Sequence, residues 1–335
     1  MKTAIVILNW NGRDFLAKFL PGVCRFSAGA DRQVVVADNG STDDSLAWLS
    51  ENHPEVRQIV LDKNYGFAEG YNRALAQVEA NYYLLLNSDV EVTEGWLDPL
   101  EKRLDSDPQI AAVMPKIRSC NERDKFEYAG AAGGFIDWLG YPFCRGRVLQ
   151  AIEQDTGQYD EAEEIFWATG ACMLVRASLF REFGGFDGDF FAHQEEIDLC
   201  WRWKQAGYRV WAEPASTVYH VGGGTLSGDS PYKVFLNFRN NLAMLYKNLS
   251  ARSLWPVLVF RLILDGCSAL VFALQGKPKN FSAVWRAHRA FFKMRKSLKP
   301  KRKEIRQKRT GSPSGIYRGS IVWRYYTGRK TTPVK

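Results

Sequence analysis

The chain has 335 residues, 46% of them hydrophobic and 24% charged, with a formal net charge of +8. That apolar content excludes intrinsic disorder, and the length predicts one catalytic-sized domain plus an appendage. The total hides a bipolar molecule, because residues 276–335 carry +18, with Glu304 their one acid, while residues 1–275 carry −10.

In chain order, the first predicted strand is Thr3–Leu8, a β-branched run that stops at Asn9-Trp10-Asn11-Gly12, where turn-forming residues take over. A helical pattern through Phe15, Leu16, Phe19 and Leu20 follows. A second strand, 34–37, then ends in Asp38-Asn39-Gly40-Ser41-Thr42-Asp43-Asp44. A third strand, 56–61, ends in a polar stretch with Asn64 and Gly66, and a helix of about residues 69–77 leads to the apolar run Tyr82–Leu86. Strands that are apolar without alternation are buried on both faces, so their succession with helices predicts an α/β domain with a mostly parallel sheet. The four polar strand ends fall on one sheet edge, where open α/β folds bind ligands. No Gly-x-Gly-x-x-Gly follows the first strand and no Gly-x-x-x-x-Gly-Lys-Ser/Thr occurs, which argues against dinucleotide-fold and P-loop readings.

The fourth strand delivers Asn87-Ser88-Asp89-Val90-Glu91 to that edge. Hard divalent cations take one or two carboxylates and complete their shell with phosphate oxygens and water. Asp89, with Glu91 direct or through water, is therefore the candidate anchor for Mg²⁺ or Mn²⁺ against a diphosphate. The amides of Asn9, Asn11 and Asn64 suit the edge of a pyrimidine base and its ribose. Thr42 and Asp43 suit the cap of the next helix. Later, Glu195, Glu196 and Asp198 cluster at the start of a helix that stops at Gly207; carboxylates there serve the helix dipole or a general base. Gly130–Gly134 reads as a flexible acceptor-side loop within the poorly patterned stretch 118–164.

Taken in order, residues 7–12, 38–45, 64–72, 87–91, 190–202, 206–208 and 218–224 resemble family-2 glycosyltransferases with the GT-A fold, over roughly residues 1–250. The likeness is greatest to bacterial rhamnosyltransferases of surface-polysaccharide assembly. It implies an inverting, metal-dependent single displacement from a UDP- or dTDP-sugar to a hydroxyl of a glycan or polyprenyl-diphosphate-linked acceptor. A polyprenyl-phosphate sugar transferase and a non-catalytic nucleotide-sugar-binding scaffold of the same fold are the alternatives. The resemblance further implies that Asp38 accepts from the base imide N–H. Gly66, Asn72 and Ser88 join Asn9, Asn11, Asn64 and Asp89 around the donor, and His220, before Gly222-Gly223-Gly224, is a third metal ligand. Trp167, Thr169 and Gly170 would lie on a strand entering the acceptor pocket, with a core role open for Trp167. The family pattern Glu-Asp-x-Asp puts the base in its second position, here Glu196, and leaves Asp198 and Glu195 as alternatives.

The expected organisation is a catalytic domain over 1–250, divided at 117/118 into nucleotide-sugar and acceptor halves, then membrane-associated helices over 251–298 and a basic tail over 299–335. Leu254–Leu274 is long enough to span a bilayer, but Arg261 and Asp265 near its centre each cost about 2.5–3.5 kcal/mol to insert. A single crossing would also carry the +18 segment across the membrane, so the run is read as lying in the membrane plane or as a shallow hairpin. Aromatic and basic residues interleave over 281–296, which suits an anionic membrane surface rather than nucleic acid, for which no reader motif is present. Arg239 is expected to face an acceptor phosphate or to pair with an acidic side chain. A short first apolar run and six cysteines without ligand spacing predict a cytoplasmic enzyme, peripheral on the inner membrane face.

Overall fold

The computed structural model describes residues 1–222, 230–329 and 331–333. The first part of the chain runs β1 (Thr3–Asn9), α1 (Arg13–Phe26), β2 (Arg32–Asp38), α2 (Ser45–Asn52), β3 (Arg57–Val60), α3 (Gly66–Leu75), β4 (Tyr82–Asn87), β5 (Val90–Val92), α4 (Leu97–Asp105) and β6 (Ile110–Ser119). A small insertion holds β7 (Gly134–Asp137), β8 (Pro142–Cys144), β9 (Arg147–Val148) and β10 (Ala151–Ile152). After it come β11 (Glu163–Ile165), β12 (Cys172–Arg176), α5 (Ala177–Glu182), α6 (Glu195–Gln205) and β13 (Arg209–His220). Three long helices come next, α7 (Pro231–Asn248), α8 (Ala251–Leu274) and α9 (Pro278–Lys308), and then β14 (Ile316–Tyr317) and α10 (Ile321–Tyr326).

The main sheet has nine strands in the order β11-β13-β6-β12-β4-β1-β2-β3, with β5 on β13. β3, β2, β1 and β4 are mutually parallel, with Asn9 opposite Asp38 and Leu8 opposite Asn87. Their polar termini therefore share one edge, as the strand ends predict. Ile5, Val6, Val35, Leu84 and Leu85 are fully buried, the consequence of helices on both faces. β3 is shorter than the predicted 56–61 because it is the sheet edge, where Val60 is 61% exposed. α3 starts three residues earlier than predicted. The amide of Gly66 donates to Asn64 Oδ1, and those of Phe67 and Ala68 donate to the Phe191 carbonyl, a cap from more than a hundred residues away.

The C-terminal region departs from expectation. Residues 251–274 form one continuous helix and not a hairpin. No break is needed, because Arg261 and Asp265 lie one turn apart and pair at 3.2 Å, Arg261 donates to the Leu139 carbonyl, and His288 sits 3.3 Å from Asp265. The charges thus face protein, while Trp255, Val259, Phe260, Ile263, Leu270 and Leu274 on α8 and Trp285 and Phe292 on α9 stay exposed. The boundary expected at 298 falls inside α9. Beyond it the chain is bound to the catalytic body: Lys301 pairs with Asp187 and Asp189, β14 adds to β7 in a second, five-stranded sheet, and the Ile321 amide donates to Asp137. Leu258, Phe291, Leu298 and Ile321 belong to the same buried core as the main sheet.

Candidate active site

The donor-side residues meet at the carboxyl ends of β1, β2 and β4. Asn9 Nδ2 lies 3.1 Å from Asp38 Oδ2 and 3.3 Å from Ser41 Oγ, and the Ser41 amide donates to Asp38 Oδ1. The Asn9 Oδ1 atom is buried without a partner among the described residues. Ser88 shares this corner, since a Cβ on Gly12 would lie 2.5 Å from Asn9 Oδ1 and 3.3 Å from Ser88 Oγ. Asn11, at φ +51°, turns its amide oxygen to the backbone of Thr42 and Asp43 and holds the loop before α2. Asn39, which pattern reading passes over, is buried and ties β2 to the next strand end: it donates to Asn64 Oδ1 and the Gly66 carbonyl and accepts from the Tyr65 amide. Asn72 lies two turns into α3 and exchanges hydrogen bonds with both backbone groups of Phe186, a structural clamp away from this edge.

Asp89 sits in the β4–β5 turn, and His220 ends β13. They are 131 residues apart, yet His220 Nε2 is 3.0 Å from Asp89 Oδ1. Glu91 does not join them. It pairs across the ribbon with Tyr219 while Val90 pairs with His220, so alternation puts it on the opposite face, where Arg123 takes its carboxylate. Glu127, from the stretch without readable pattern, lies instead on the other side of the imidazole, its Oε2 3.3 Å from Nδ1. Gly222 makes room for it, a Cβ there falling 2.6 Å from Glu127 Oε1; Gly223 and Gly224 lie outside the described residues. Burial opposes charge on His220, but hydrogen bonds and the charges of Asp89 and Glu127 prevail and raise its pKa to about 10.

Ligands at roughly 2.1 Å from an octahedral ion, set at right angles, are about 3.0 Å apart. The Asp89–His220 pair has that spacing, which is also that of the hydrogen bond made with Nε2 protonated, so an ion would bind there in place of that proton, with the Glu127 carboxylate 3.3 Å from Nδ1 on the other side of the ring. The residues therefore fit a divalent cation.

Glu195 and Glu196 open α6. Burial, then the neighbouring Glu196 charge, holds Glu195 well above the usual carboxylate range. Burial raises Glu196 to about 7, against the lowering effect of backbone N–H groups at the helix start. The Oε2 atoms of both lack partners among the described residues, open acceptors at the mouth of a helix. Asp198 differs. It is 0% exposed, and Arg202, Lys247 and Asn248 donate to it at 2.9, 2.8 and 2.8 Å. Lys247 also pairs with Asp187, whose pKa burial would raise but Lys247 and Lys301 hold far below the usual range. This network anchors α6, with Asp198 itself fully buried. Lys247→Met removes the cation shared by two buried carboxylates, leaving Arg202 and Asn248 on Asp198 and Lys301 on Asp187, and is expected to lower unfolding stability by about 2–4 kcal/mol. Urea titration checks this, and a loss below about 1 kcal/mol, the scale of an exposed ion pair, would contradict it.

The acceptor-side expectations change most. Trp167, Thr169 and Gly170 lie in the loop between β11 and β12, not on a strand. Trp167 is a core aromatic that donates from Nε1 to the Phe135 carbonyl and lies flat on Gly134, and Thr169 is buried against Gly130. Gly170 admits the ring of Phe67. Gly130–Gly134 is accordingly a packed turn, with Ala131 and Ala132 buried. Arg239 donates to the Asp189 and Phe190 carbonyls and to Asn240 Oδ1.

The strands before and after the insertion share one sheet, and at its polar edge they also meet through the loop before α6. Phe191 abuts Gly66, where a Cβ would lie 2.5 Å from its ring, and Asn39 binds the Gly66 carbonyl, so contacts run without a gap from Asp38 and Asn39 to the chain that presents Glu195 and Glu196. A separate cavity of about 350 Å³ beside Asn72, Asp187 and Lys301 lies under α9, away from this edge.

Comparisons agree with the architecture. The family model for Glycosyl transferase family 2 matches residues 4–184. N-acetylglucosaminyl-diphospho-decaprenol L-rhamnosyltransferase of Mycobacterium tuberculosis (strain ATCC 25618 / H37Rv) is 28% identical over 236 residues, 64% of this chain and 75% of that one. Among solved structures, S. aureus TarS 1-349 has a TM-score of 0.54 at 17% identity, covering 98% of this chain and 92% of that one. GalNAc-T7 with UDP, GalNAc and Mn²⁺ has a TM-score of 0.56 at 16% identity, covering 74% of this chain and 48% of that one, about half its length. These likenesses establish a GT-A-like fold. Because the family match takes in more than half of its residues, the chain belongs to glycosyl transferase family 2.

Proposed function

We propose that the protein transfers a hexose or deoxyhexose from a pyrimidine nucleoside-diphosphate donor to a hydroxyl of a lipid-linked saccharide at a membrane surface, with inversion at the anomeric carbon. The observation that carries this reading is the 3.0 Å meeting of Asp89 with His220 beside the Asn9–Asp38 corner, which gives a diphosphate and its counter-ion one common seat. Asp38, with Asn9 and Ser41, recognises the base; Asn39 and Asn64 shape the ribose side. Asp89 and His220 hold Mn²⁺ or Mg²⁺, the imidazole favouring Mn²⁺, as does the Mn²⁺ found with GalNAc-T7. Bound there, the ion supplies positive charge to the diphosphate leaving group.

Glu196 takes the proton of the acceptor hydroxyl as its oxygen bonds to the anomeric carbon and the bond from that carbon to the diphosphate breaks. A pKa of about 7 suits this task, because the carboxylate is present at neutral pH and is still a competent base. Burial and the neighbouring Glu196 charge both oppose ionisation of Glu195, which favours Glu196 as the carrier of the charge. Asp198 fixes the helix beneath them. With one base and no nucleophilic carboxylate, displacement is direct.

The acceptor's lipid follows from the exposed apolar face of α8 and α9 and from the decaprenol-linked substrate in the name of the mycobacterial relative. α8 is the one helix among the described residues long and apolar enough to cross a bilayer. Its charged stripe is spent on α9 and Leu139, so it lies in the membrane plane with its outer face in lipid and the basic residues of α9 near anionic headgroups, at the cytoplasmic face. Ile263→Glu with Leu270→Glu is expected to weaken binding to anionic vesicles at least about tenfold, equivalent to about 1.4 kcal/mol, in a pelleting assay. Unchanged pelleting would remove the membrane reading.

The activity itself is tested with anionic vesicles carrying a polyprenyl-diphosphate saccharide, Mn²⁺, and a panel of UDP- and dTDP-sugars. Acceptor-dependent release of nucleoside diphosphate, with a product of inverted configuration, is expected. A retained configuration would overturn the single-displacement mechanism.

A further inference from the structure

We propose that Asn240, on α7, is a positioning residue that sets the Glu195–Glu196 carboxylate pair by clamping the backbone loop in front of it. The inference rests on Glu196 being the base. Phe191, His193 and Gln194 all have positive φ, at 66°, 71° and 71°, although none is glycine. Conformations of this kind are strained for residues with a side chain and persist where the surroundings enforce them. Three of them within four residues, directly before the catalytic pair, need a strong constraint.

Asn240 is that constraint. It is 0% exposed, and its Nδ2 lies 3.0, 2.8 and 2.8 Å from the carbonyls of Phe190, Ala192 and His193. An amide has two hydrogens for these three acceptors, so one is shared, and every carbonyl that the strained backbone turns inward is met by one side chain. Its Oδ1 accepts from Arg239 Nε at 2.9 Å, which fixes the amide orientation, while Arg239 binds the Asp189 and Phe190 carbonyls. Two further ties close the loop: Gln194 Nε2 donates to the Asn237 carbonyl, and Asn241 Nδ2 donates to Gln194 Oε1. The loop's other side is the Phe191 carbonyl on the start of α3. Loss of the Asn240 bonds would let the loop and the first turn of α6 shift while the Asp198 network holds the rest of the helix, and would carry Glu196 away from the donor without disturbing Asn9, Asp38 or Asp89, which stand on other elements.

Asn240→Asp tests this at constant shape, since it sets a carboxylate against three carbonyls; Asn240→Ala and the milder Gln194→Ala accompany it. The full chain is assayed on acceptor vesicles for kcat and both KM values, with nucleotide affinity from tryptophan fluorescence, thermal midpoints, and Glu196→Gln as reference. A misplacement of about 1 Å is worth about 100-fold in rate, so kcat is expected to fall by that order in the Asn240 variants, with donor KM and nucleotide affinity within about threefold of wild type. For Gln194→Ala a loss of about tenfold in kcat is expected on the same grounds, and it decides the question should the Asn240 variants not fold. An unchanged kcat in a folded Asn240 variant, or parallel losses in kcat, donor KM and nucleotide affinity, would overturn the proposal. A wild-type kcat in Glu196→Gln alongside a selective kcat loss in Asn240→Ala would instead remove the base assignment and keep the clamp.

Discussion

Glu196→Gln is expected to lower kcat for transfer by about 10²–10⁴, the usual contribution of a general base, with little change in donor KM. The substitution removes the proton acceptor and keeps the shape. Its second effect has the opposite sign. Burial raises Glu196 from an ordinary 4.5 to about 7, so the native state holds a proton there that the unfolded chain has already lost. The stability this group contributes is full below about pH 4.5 and is lost as pH rises toward 7. Across that window the loss is on the order of 3 kcal/mol, since one unit is about 1.4 kcal/mol. Glutamine avoids the buried charge, so the inactive variant is expected to melt at a higher temperature than wild type at pH 8 and at a similar one at pH 4.5. In the wild type, kcat should rise about tenfold per unit up to pH 7 and then level, following the carboxylate fraction. A pH-independent kcat between 5 and 8, or equal melting temperatures at pH 8, would argue for a purely structural Glu196.

The second large effect is expected at Asp89. Asp89→Ala leaves His220 without its partner at Nε2 and removes the one carboxylate of the pair, so metal-dependent donor hydrolysis and transfer should both fall by about 10³ or more, on the scale of losing a group that stabilises leaving-group charge. Glu91→Ala is the contrast. Its carboxylate is engaged by Arg123 on the far face of the ribbon, so its loss should change the rate less than about threefold, within the ±0.5 kcal/mol usual for surface changes. Isothermal titration of Mn²⁺ in the presence of nucleoside diphosphate separates the two. Full activity of wild type in EDTA, or equal losses at 89 and 91, would contradict the assignment of Asp89 and His220 as the ligand pair.

The difference between Asp89 and Glu91 shows where sequence reading stops. Sequence reading delivers both carboxylates to one strand end, but the chain turns at Ser88–Asp89, and β5 leaves to pair with β13 instead of continuing β4. A strand exchange of that kind is set by tertiary pairing and has no local signature. The polar sheet edge was legible because parallel strands buried on both faces leave continuous apolar runs ending in polar residues, as β1, β2 and β4 do. Asn39 and Glu127 were not, since each acts through a partner distant in sequence: Asn39 on the turn after β3, Glu127 on the end of β13. Asn240 was visible as a polar residue on a long helix. Its role was hidden because its partners are carbonyls of a strained loop 47 to 50 residues away, and backbone groups leave no trace in composition. Arg261 and Asp265 misled in the other direction: read as obstacles to burial, they satisfy each other and the neighbouring helix, so α8 runs unbroken. The +18 segment likewise spends part of its charge within the molecule, on Asp187 and Asp189, and threads back to the sheet of the insertion.

The most direct test of convergence at this edge is a crystal structure of the Glu196→Gln protein with Mn²⁺ and an intact nucleotide sugar. The ion should be bound by Asp89 and His220, the base should sit on Asp38, and the anomeric carbon should face the side chain at 196 from the side opposite the diphosphate. A nucleotide seated elsewhere, or a sugar turned away from residue 196 with the donor otherwise in place, would contradict the account.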